Sequence, residues 1–242
     1  MYKYKKYFFS VLILLFAFLV ACNKLVQECE EYYNPYGLEI IYCVEKYNKL
    51  VEENPDMELV DIEKIIPNIV LDIRYATKNN FTKEIIYTEA KAFARKPVVE
   101  ALKKVQDSLA HHNLKIKIYD AYRPYAATVK FYEVYPDTNF VANPKFGSRH
   151  NRGCALDITL LDLSTGKEIP MPTEFDDFSE KAHPQYPNFS KEIIDNRTFL
   201  FDIMSYFGFS HYPTEWWHFD YQRWENYPLM DLSFKDLTNI NK

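Results

Sequence analysis

The sequence predicts an α+β domain, and three observations carry that reading. Helical and strand periodicities both occur, yet they do not alternate in the regular strand–helix–strand rhythm of a parallel α/β sheet. The helical signal is clearest over residues 98–109 and 193–207, the period-two signal over residues 114–118. Finally, 13 Pro against 5 Gly, with 17% aromatic residues, marks a rigid globular chain and excludes a disordered one.

Taken in order, residues 1–21 stand apart from the domain. Lys3, Lys5 and Lys6 form a basic head, and Tyr7 to Val20 is an almost unbroken apolar run. That run is short for a membrane span, which needs about 20 apolar residues, and it has the plan of a secretory signal. Its end, Leu19-Val20-Ala21-Cys22, resembles the lipobox of bacterial lipoproteins, in which the cysteine is acylated and becomes the mature N-terminus. The alternative is an uncleaved N-terminal anchor with a chance cysteine. Either reading exports the rest of the chain and holds it at a membrane surface, periplasmic or extracellular.

Residues 22–56 are polar and rich in Tyr and Glu without a sustained period, which predicts a lipid-anchored tether. The domain is expected over 57–242, about 185 residues, enough for one core. Leu59, Ile62, Ile65 and Ile66 begin its apolar pattern, and residues 69–75 read as a strand.

Pro97 suits the first turn of a helix, whose buried face is Val98, Leu102, Val105 and Leu109. His111-His112-Asn113 ends it, with the two histidines read as a solvated helix end. Leu114, Ile116 and Ile118 alternate with Lys115, Lys117 and Tyr119 as in a half-buried strand, which delivers Asp120-Ala121-Tyr122-Arg123-Pro124 at its end. A second helix follows over 126–135, stopped by Pro136. Residues 155–162 form a strand turned by Ser164-Thr165-Gly166. Asn188 or Ser190 caps a long helix that Gly208 ends, and short strands at 209–212 and 217–221 complete the domain.

Net charge is −5, and removal of the first 21 residues takes basic residues from 29 to 26 against 34 acidic ones, leaving −8. No basic cluster remains to neutralise phosphates, which excludes nucleic acid as a partner. The same balance excludes electrostatic attachment to anionic lipid, so the acyl chains would supply membrane attachment. Of the cysteines, Cys29 and Cys43 either pair or remain thiols, and Cys154 reads as a small buried filler.

The chemistry concentrates in two stretches. Ser148 to Asp157 has the form S-x-H-x-x-G-x-A-x-D, and Glu215-Trp216-Trp217-His218 has the form E-x-x-H. His150, Asp157 and His218 offer two imidazoles and one carboxylate, a set that suits a single Zn2+ and leaves one position open for water. Gly153 permits the turn after His150, and Asp157 lies on the strand that follows. Glu215 is the expected general base. An odd separation on one strand would point it away from His218, so Pro213-Thr214 is expected to bend the chain just before it.

These two motifs resemble the zinc D,D-peptidases. Four further stretches narrow the resemblance to the D-alanyl-D-alanine dipeptidases of the VanX type: residues 72–81, 120–124, 175–183 and 215–219. Together they span about residues 60 to 222. The resemblance implies a single domain with a central, mainly antiparallel sheet flanked by helices, as in the hedgehog and D,D-peptidase folds. It implies zinc on His150, Asp157 and His218, Glu215 as base, and Arg123 as the cation that stabilises the tetrahedral intermediate. Asp176 would receive the substrate's ammonium group, Ser148 would help hold its other end, and Trp216, Trp217 and Tyr122 would wall the pocket. The segment between Arg123 and Ser148 is shorter than in resistance-associated members, and the lipid anchor points to the envelope.

The expected function is hydrolysis of D-alanyl-D-alanine or a similar D,D-dipeptide. Two alternatives stand beside it. One is a D,D-carboxypeptidase that trims peptidoglycan stem peptides; the other is a non-catalytic metal-binding surface lipoprotein. An ammonium partner at Asp176 separates the first from a dipeptidase, and Glu215 with Arg123 separates the second from any catalyst.

Overall fold

The computed structural model describes Cys29 and residues 32–241. The expected signal segment and the lipidation site at Cys22 lie outside the described residues. Residues 34–242 form one compact unit. In chain order its elements are β1 (Ile40–Ile41), α1 (Val44–Glu53), β2 (Leu59–Asp61), α2 (Ile62–Ile65), β3 (Val70–Leu71), β4 (Phe93–Arg95) and α3 (Lys96–Ala110). There follow β5 (Leu114–Asp120), α4 (Tyr125–Val134), β6 (Ala155–Asp162), α5 (Lys191–Tyr206), β7 (Phe209–Tyr212), β8 (Glu215–Tyr221), β9 (Leu229–Met230) and α6 (Phe234–Ile240).

The central sheet has the order β3-β5-β6-β8-β7. Only the β3–β5 pair is parallel; the others are antiparallel, as expected for a mainly antiparallel sheet. Helix α3 packs on β5 and α5 on β7. Pro97 sits in the first turn of α3, and its Val98, Leu102, Val105 and Leu109 are fully buried. Gln106 on the same face accepts a hydrogen bond from the Ile116 amide at 2.8 Å, tying α3 to β5. Ser190 is the cap of α5, its hydroxyl accepting from the Ile193 amide, and Gly208 at φ +91° lets the chain leave the helix.

Three expectations change. Residues 69–75 give only the two-residue β3, after which Arg74–Ala76 forms a 3-10 turn. The turn carries Tyr75 into the core, where its carbonyl accepts from both the Ile86 and Tyr87 amides. Strand β5 is covered on both faces rather than half-buried: Lys117 pairs with Asp72 and Glu168, and Tyr119 stacks on Phe175 at 4.6 Å.

The expected tether is folded from residue 34 onward. Strand β1 pairs with β9, and Tyr47 of α1 is buried with its hydroxyl accepting from the Leu59 amide at 2.8 Å. Apolar burial and that hydrogen bond hold the segment, and α1 is amphipathic, a period masked in sequence by its many Glu and Lys residues. Cys43 is disulfide-bonded, as is Cys29, while Cys154 is a buried thiol. Among the described residues no helix is long and apolar enough to cross a membrane.

Candidate active site

Strands β6 and β8 lie side by side with Asp157 opposite His218 in register. His150 enters from a one-turn 3-10 helix, His150–Arg152, closed by Gly153 in the left-handed region at φ +70°. A side chain there would be strained, and its Cβ would stand 2.4 Å from Leu59 Cδ2. Glycine therefore sets the turn that joins His150 to the strand bearing Asp157.

The three side chains bring one donor atom each to a common point. His150 Nε2 is 3.3 Å from Asp157 Oδ1, His218 Nδ1 is 3.0 Å from the same oxygen, and the two nitrogens are 3.1 Å apart. Their other nitrogens fix the tautomers. His150 Nδ1 donates to the Ala121 carbonyl at 2.7 Å, and His218 Nε2 donates to Asp220 at 2.9 Å. A carbonyl accepts only, so His150 Nε2 carries a lone pair; the Asp220 carboxylate directs His218 Nδ1 the same way.

Two imidazole lone pairs and a carboxylate oxygen thus face one another in a buried space, and Asp157 Oδ1 has no hydrogen-bond partner. Such a cluster favours a cation at its centre. Donor atoms around a tetrahedral ion with bonds of about 2.0–2.1 Å stand about 3.3 Å apart, and the observed triangle matches that spacing. The residues fit zinc.

Glu215 reaches the same place by a route the sequence did not show. Opposite β8, the register steps by one residue on β7, from His211 to Tyr212, while β8 steps from Phe219 to Glu215. This irregularity, rather than a bend at Pro213 alone, breaks the strict alternation. It sets Glu215 Oε2 at 3.7 Å from His218 Nδ1. Burial pushes the Glu215 carboxyl up to about 8 against the opposing pull of His218.

Arg123 is held on every side. Its Nε and Nη2 donate to Asp120 Oδ2 at 3.0 and 2.8 Å, Nη2 is 3.8 Å from Asp157, and its plane lies over Phe131 and Tyr75 at 4.8 and 5.4 Å. Asp120 also accepts from Tyr87 and from the Ala121 amide. Burial opposes the Arg123 charge, but Asp120 and the neighbouring acids keep it protonated.

Asp176 is different. Its backbone is left-handed at φ +62°, a strain of order 1 kcal/mol. Oδ1 accepts from the Tyr75 hydroxyl at 2.9 Å, and Oδ2 is buried without a hydrogen-bond partner. Burial raises this carboxyl to about 7, against the lowering effect of Tyr75.

A cavity of about 310 Å³ joins these groups, lined by Arg123, Ser148, His150, Asp157, Asp176, Glu215, Trp217 and His218. That is the small end of ligand-binding pockets. Ser148 Oγ accepts from the Asn151 amide at 3.2 Å, which leaves its proton free for a ligand.

Two expected wall residues are elsewhere. Trp216 points to the opposite face of β8, fully buried, its indole donating to Thr173. Tyr122 is buried with its hydroxyl bonded to both the Leu232 carbonyl and amide. The irregular β7–β8 register, which leaves Glu215, Trp217 and His218 on the cavity and Trp216 off it, accounts for the first, and the turn into α4 for the second.

The sequence reading missed Asp120, Tyr75, Asn151 and Asp220. For Asp220 a signal existed: His218 and Asp220 are two apart on a strand, so they share a face. Asn151 offered none, because its side chain joins the Arg123 carbonyl, Thr128 and the Ser148 amide across distant elements.

Comparison with known proteins adds a separate line of observation. A family described as D-ala-D-ala dipeptidase matches residues 55–234. A D-alanyl-D-alanine dipeptidase of Escherichia coli is 35% identical over 177 residues, covering 73% of this chain and 91% of that protein. One from Enterococcus faecium is 29% identical, covering 72% of this chain and 95% of that one. The solved structure of a vancomycin resistance D,D-pentapeptidase in complex with Zn(II) is 14% identical and covers 55% of this chain and 75% of that one. Its TM-score is 0.36, too slight a likeness to carry an argument.

Proposed function

The chain belongs to the M15 family described as D-ala-D-ala dipeptidase, a family of zinc metallopeptidases, and from that premise we propose that it hydrolyses D-alanyl-D-alanine or a close D,D-dipeptide to free D-amino acids. The observation that carries the reading is the convergence of His150 Nε2, Asp157 Oδ1 and His218 Nδ1 beside the Glu215 carboxylate. Those three residues would hold the metal. When bound, zinc supplies Lewis acidity toward the scissile carbonyl and the attacking water.

The chain's own groups do the rest. Glu215 takes the proton of the attacking water and returns it to the leaving amine. Its burial makes it a stronger base than an exposed glutamate, and a cation beside it draws its value back toward neutrality, where a general base works best. Arg123 presents a guanidinium that cannot reorient, so its charge is aimed before the oxyanion develops. Asp176 receives the substrate's ammonium group on its unpartnered Oδ2. Ser148 donates to the other end, and Trp217 walls the space between.

Asp176 also favours a dipeptidase over a carboxypeptidase of longer stem peptides. A blocked amino terminus would leave a buried carboxylate unpaired, a cost of about 1–3 kcal/mol or more. Glu215 and Arg123 favour catalysis over a binding role, which needs neither. The signal at residues 1–21 and Cys22 support a lipoprotein that places this catalytic domain at the envelope. Labelling with a fatty acid in the wild type but not in Cys22→Ala would bear that out.

The deciding experiment incubates the zinc-loaded mature chain with D-alanyl-D-alanine and with its N-acetyl form, and follows free D-alanine. Cleavage of the free dipeptide alone is expected. Cleavage of both at equal rates would refute Asp176 as the ammonium partner and leave a carboxypeptidase, and cleavage of neither would refute the activity.

A further inference from the structure

Arg149 stands between Ser148 and His150 in the sequence, and its side chain reaches the cavity between two aromatic rings. The guanidinium lies over Trp224 at 4.8 Å and Tyr212 at 5.3 Å. Two aromatic faces fix its plane without using its N–H donors. Its Nε is 3.3 Å from Asp220 Oδ2 but makes no hydrogen bond. About a third of the side chain is accessible, and it lines the same cavity as Asp176, Ser148 and Glu215.

Contacts order these groups across the site. Asp176 bonds Tyr75, whose ring meets Arg123; Arg123 approaches Asp157, which neighbours His218. His218 in turn meets Tyr212 and Asp220, the two groups that hold Arg149. Asp176 and Arg149 therefore terminate a chain of contacts with the His150, Asp157 and His218 triad at its middle. One end is a carboxylate with one unpartnered oxygen and the other a guanidinium with an unpartnered Nε.

A dipeptide at neutral pH carries an ammonium group at one end and a carboxylate at the other. In a cavity whose acids include Asp157, Asp176 and Glu215, that carboxylate is repelled unless a cation meets it. Arg123 is committed to Asp120, and Arg152 donates to the Tyr227 carbonyl and lies over Trp224. Of the three cavity arginines, Arg149 is the one for which no hydrogen bond from the guanidinium is found among the described residues, and its Nε is buried without a partner.

We propose that Arg149 is a specificity-determining residue that binds the free C-terminal carboxylate of the substrate, so that the cavity reads both charged ends of a dipeptide. The proposal rests on the dipeptidase reading above. A guanidinium offers a carboxylate two parallel N–H donors, and the adjacent Ser148 hydroxyl adds a third. The competing role is positioning, in which Arg149 only steadies Asp220 and, through it, His218.

The test uses the full chain loaded with zinc and compares D-alanyl-D-alanine with D-alanyl-D-alanine amide, in wild type, Arg149→Met and Arg149→Lys. The wild type should prefer the acid by roughly 10- to 100-fold in kcat/KM, the range of one charge-assisted hydrogen-bonded contact. Arg149→Met should lose that factor on the acid, mainly through KM, while the amide is little changed and bound zinc stays at one per chain. Arg149→Lys should recover part of the preference, since it keeps the charge but not the fork.

Equal wild-type rates on acid and amide overturn the proposal and leave the dipeptidase reading intact. So does an Arg149→Met variant that loses both substrates alike together with zinc affinity, which assigns Arg149 to positioning. Failure of the wild type on both substrates sinks the dipeptidase reading, and the proposal with it.

Discussion

The two walls of the cavity are built on different terms. On the sheet side, His150, Asp157 and His218 stand on or beside β6 and β8, and each imidazole is fixed through its second nitrogen by a carbonyl or a carboxylate. Arg123 is held by Asp120 in the same manner. On the loop side, Asp176 accepts from the Tyr75 hydroxyl on one oxygen, has a left-handed backbone and carries a buried second oxygen without a partner. What the sheet wall lacks is a cation where Asp157 Oδ1, bare of hydrogen bonds, meets the two imidazoles. What the loop wall lacks is a donor for Asp176 Oδ2, which the proposed ammonium contact would supply.

The sharpest way to break this contrast is at Glu215. Glu215→Ala should lower kcat by about 10²–10⁴, with zinc content and the melting temperature of the loaded protein nearly unchanged. A variant that kept its turnover would move the base to another residue.

Next in size is Asp220, which touches no substrate in the proposed mechanism. Asp220→Ala removes the partner of His218 Nε2 and should weaken zinc binding by about 10–100-fold, read by titration against a chelator of known affinity. Unaltered affinity would mean that the sheet wall does not depend on this support.

The loop wall should respond to pH instead. A carboxyl raised to about 7 loses its charge as pH falls through that value, so KM for a free dipeptide should climb below pH 7 in the wild type. It should be raised and flat in Asp176→Asn. The sign for stability is opposite. Because the folded value lies above the unfolded one, the folded chain binds the extra proton between about pH 4 and 7, and stability falls as pH rises through that window. Asp176→Asn should therefore raise the melting temperature at pH 8 and leave it unchanged at pH 3. A variant equally stable or less stable at pH 8 would refute the picture of a strained, unpaired acid retained for function.

The smallest effect separates the two tryptophans. Trp216→Phe removes the hydrogen bond to Thr173 behind the sheet and should cost about 1–2 kcal/mol of stability with kcat/KM intact. Trp217→Phe, inside the cavity, should change KM at little cost in stability. Denaturant melts with kinetics on the same preparations would expose any exchange of these roles.

How much could be read in advance depended on distance along the chain. The helix at 96–110, the strands at 114–120 and 155–162, and the Ser190 cap follow from periodicity and local chemistry, and they fell close to where the pattern put them. Residues 34–56 did not, since α1 and β1 are held by one buried tyrosine and a partner strand almost two hundred residues away. Residues 69–75 misled because an apolar run cannot show that Tyr75 must turn inward.

The site divides along the same line. His150 and Asp157 sit seven residues apart across a glycine turn, and His218 shares a face with Asp220, so residue type and spacing by themselves pointed to the three side chains that converge. Tertiary structure alone decided that Asp157 pairs with His218, that an irregular β7–β8 register turns Glu215 toward them, and that Arg149 is wedged between Tyr212 and Trp224. Local spacing is written in the backbone geometry of one segment. Those later facts are set by which surfaces bury one another when the sheet closes, and no single segment contains that information.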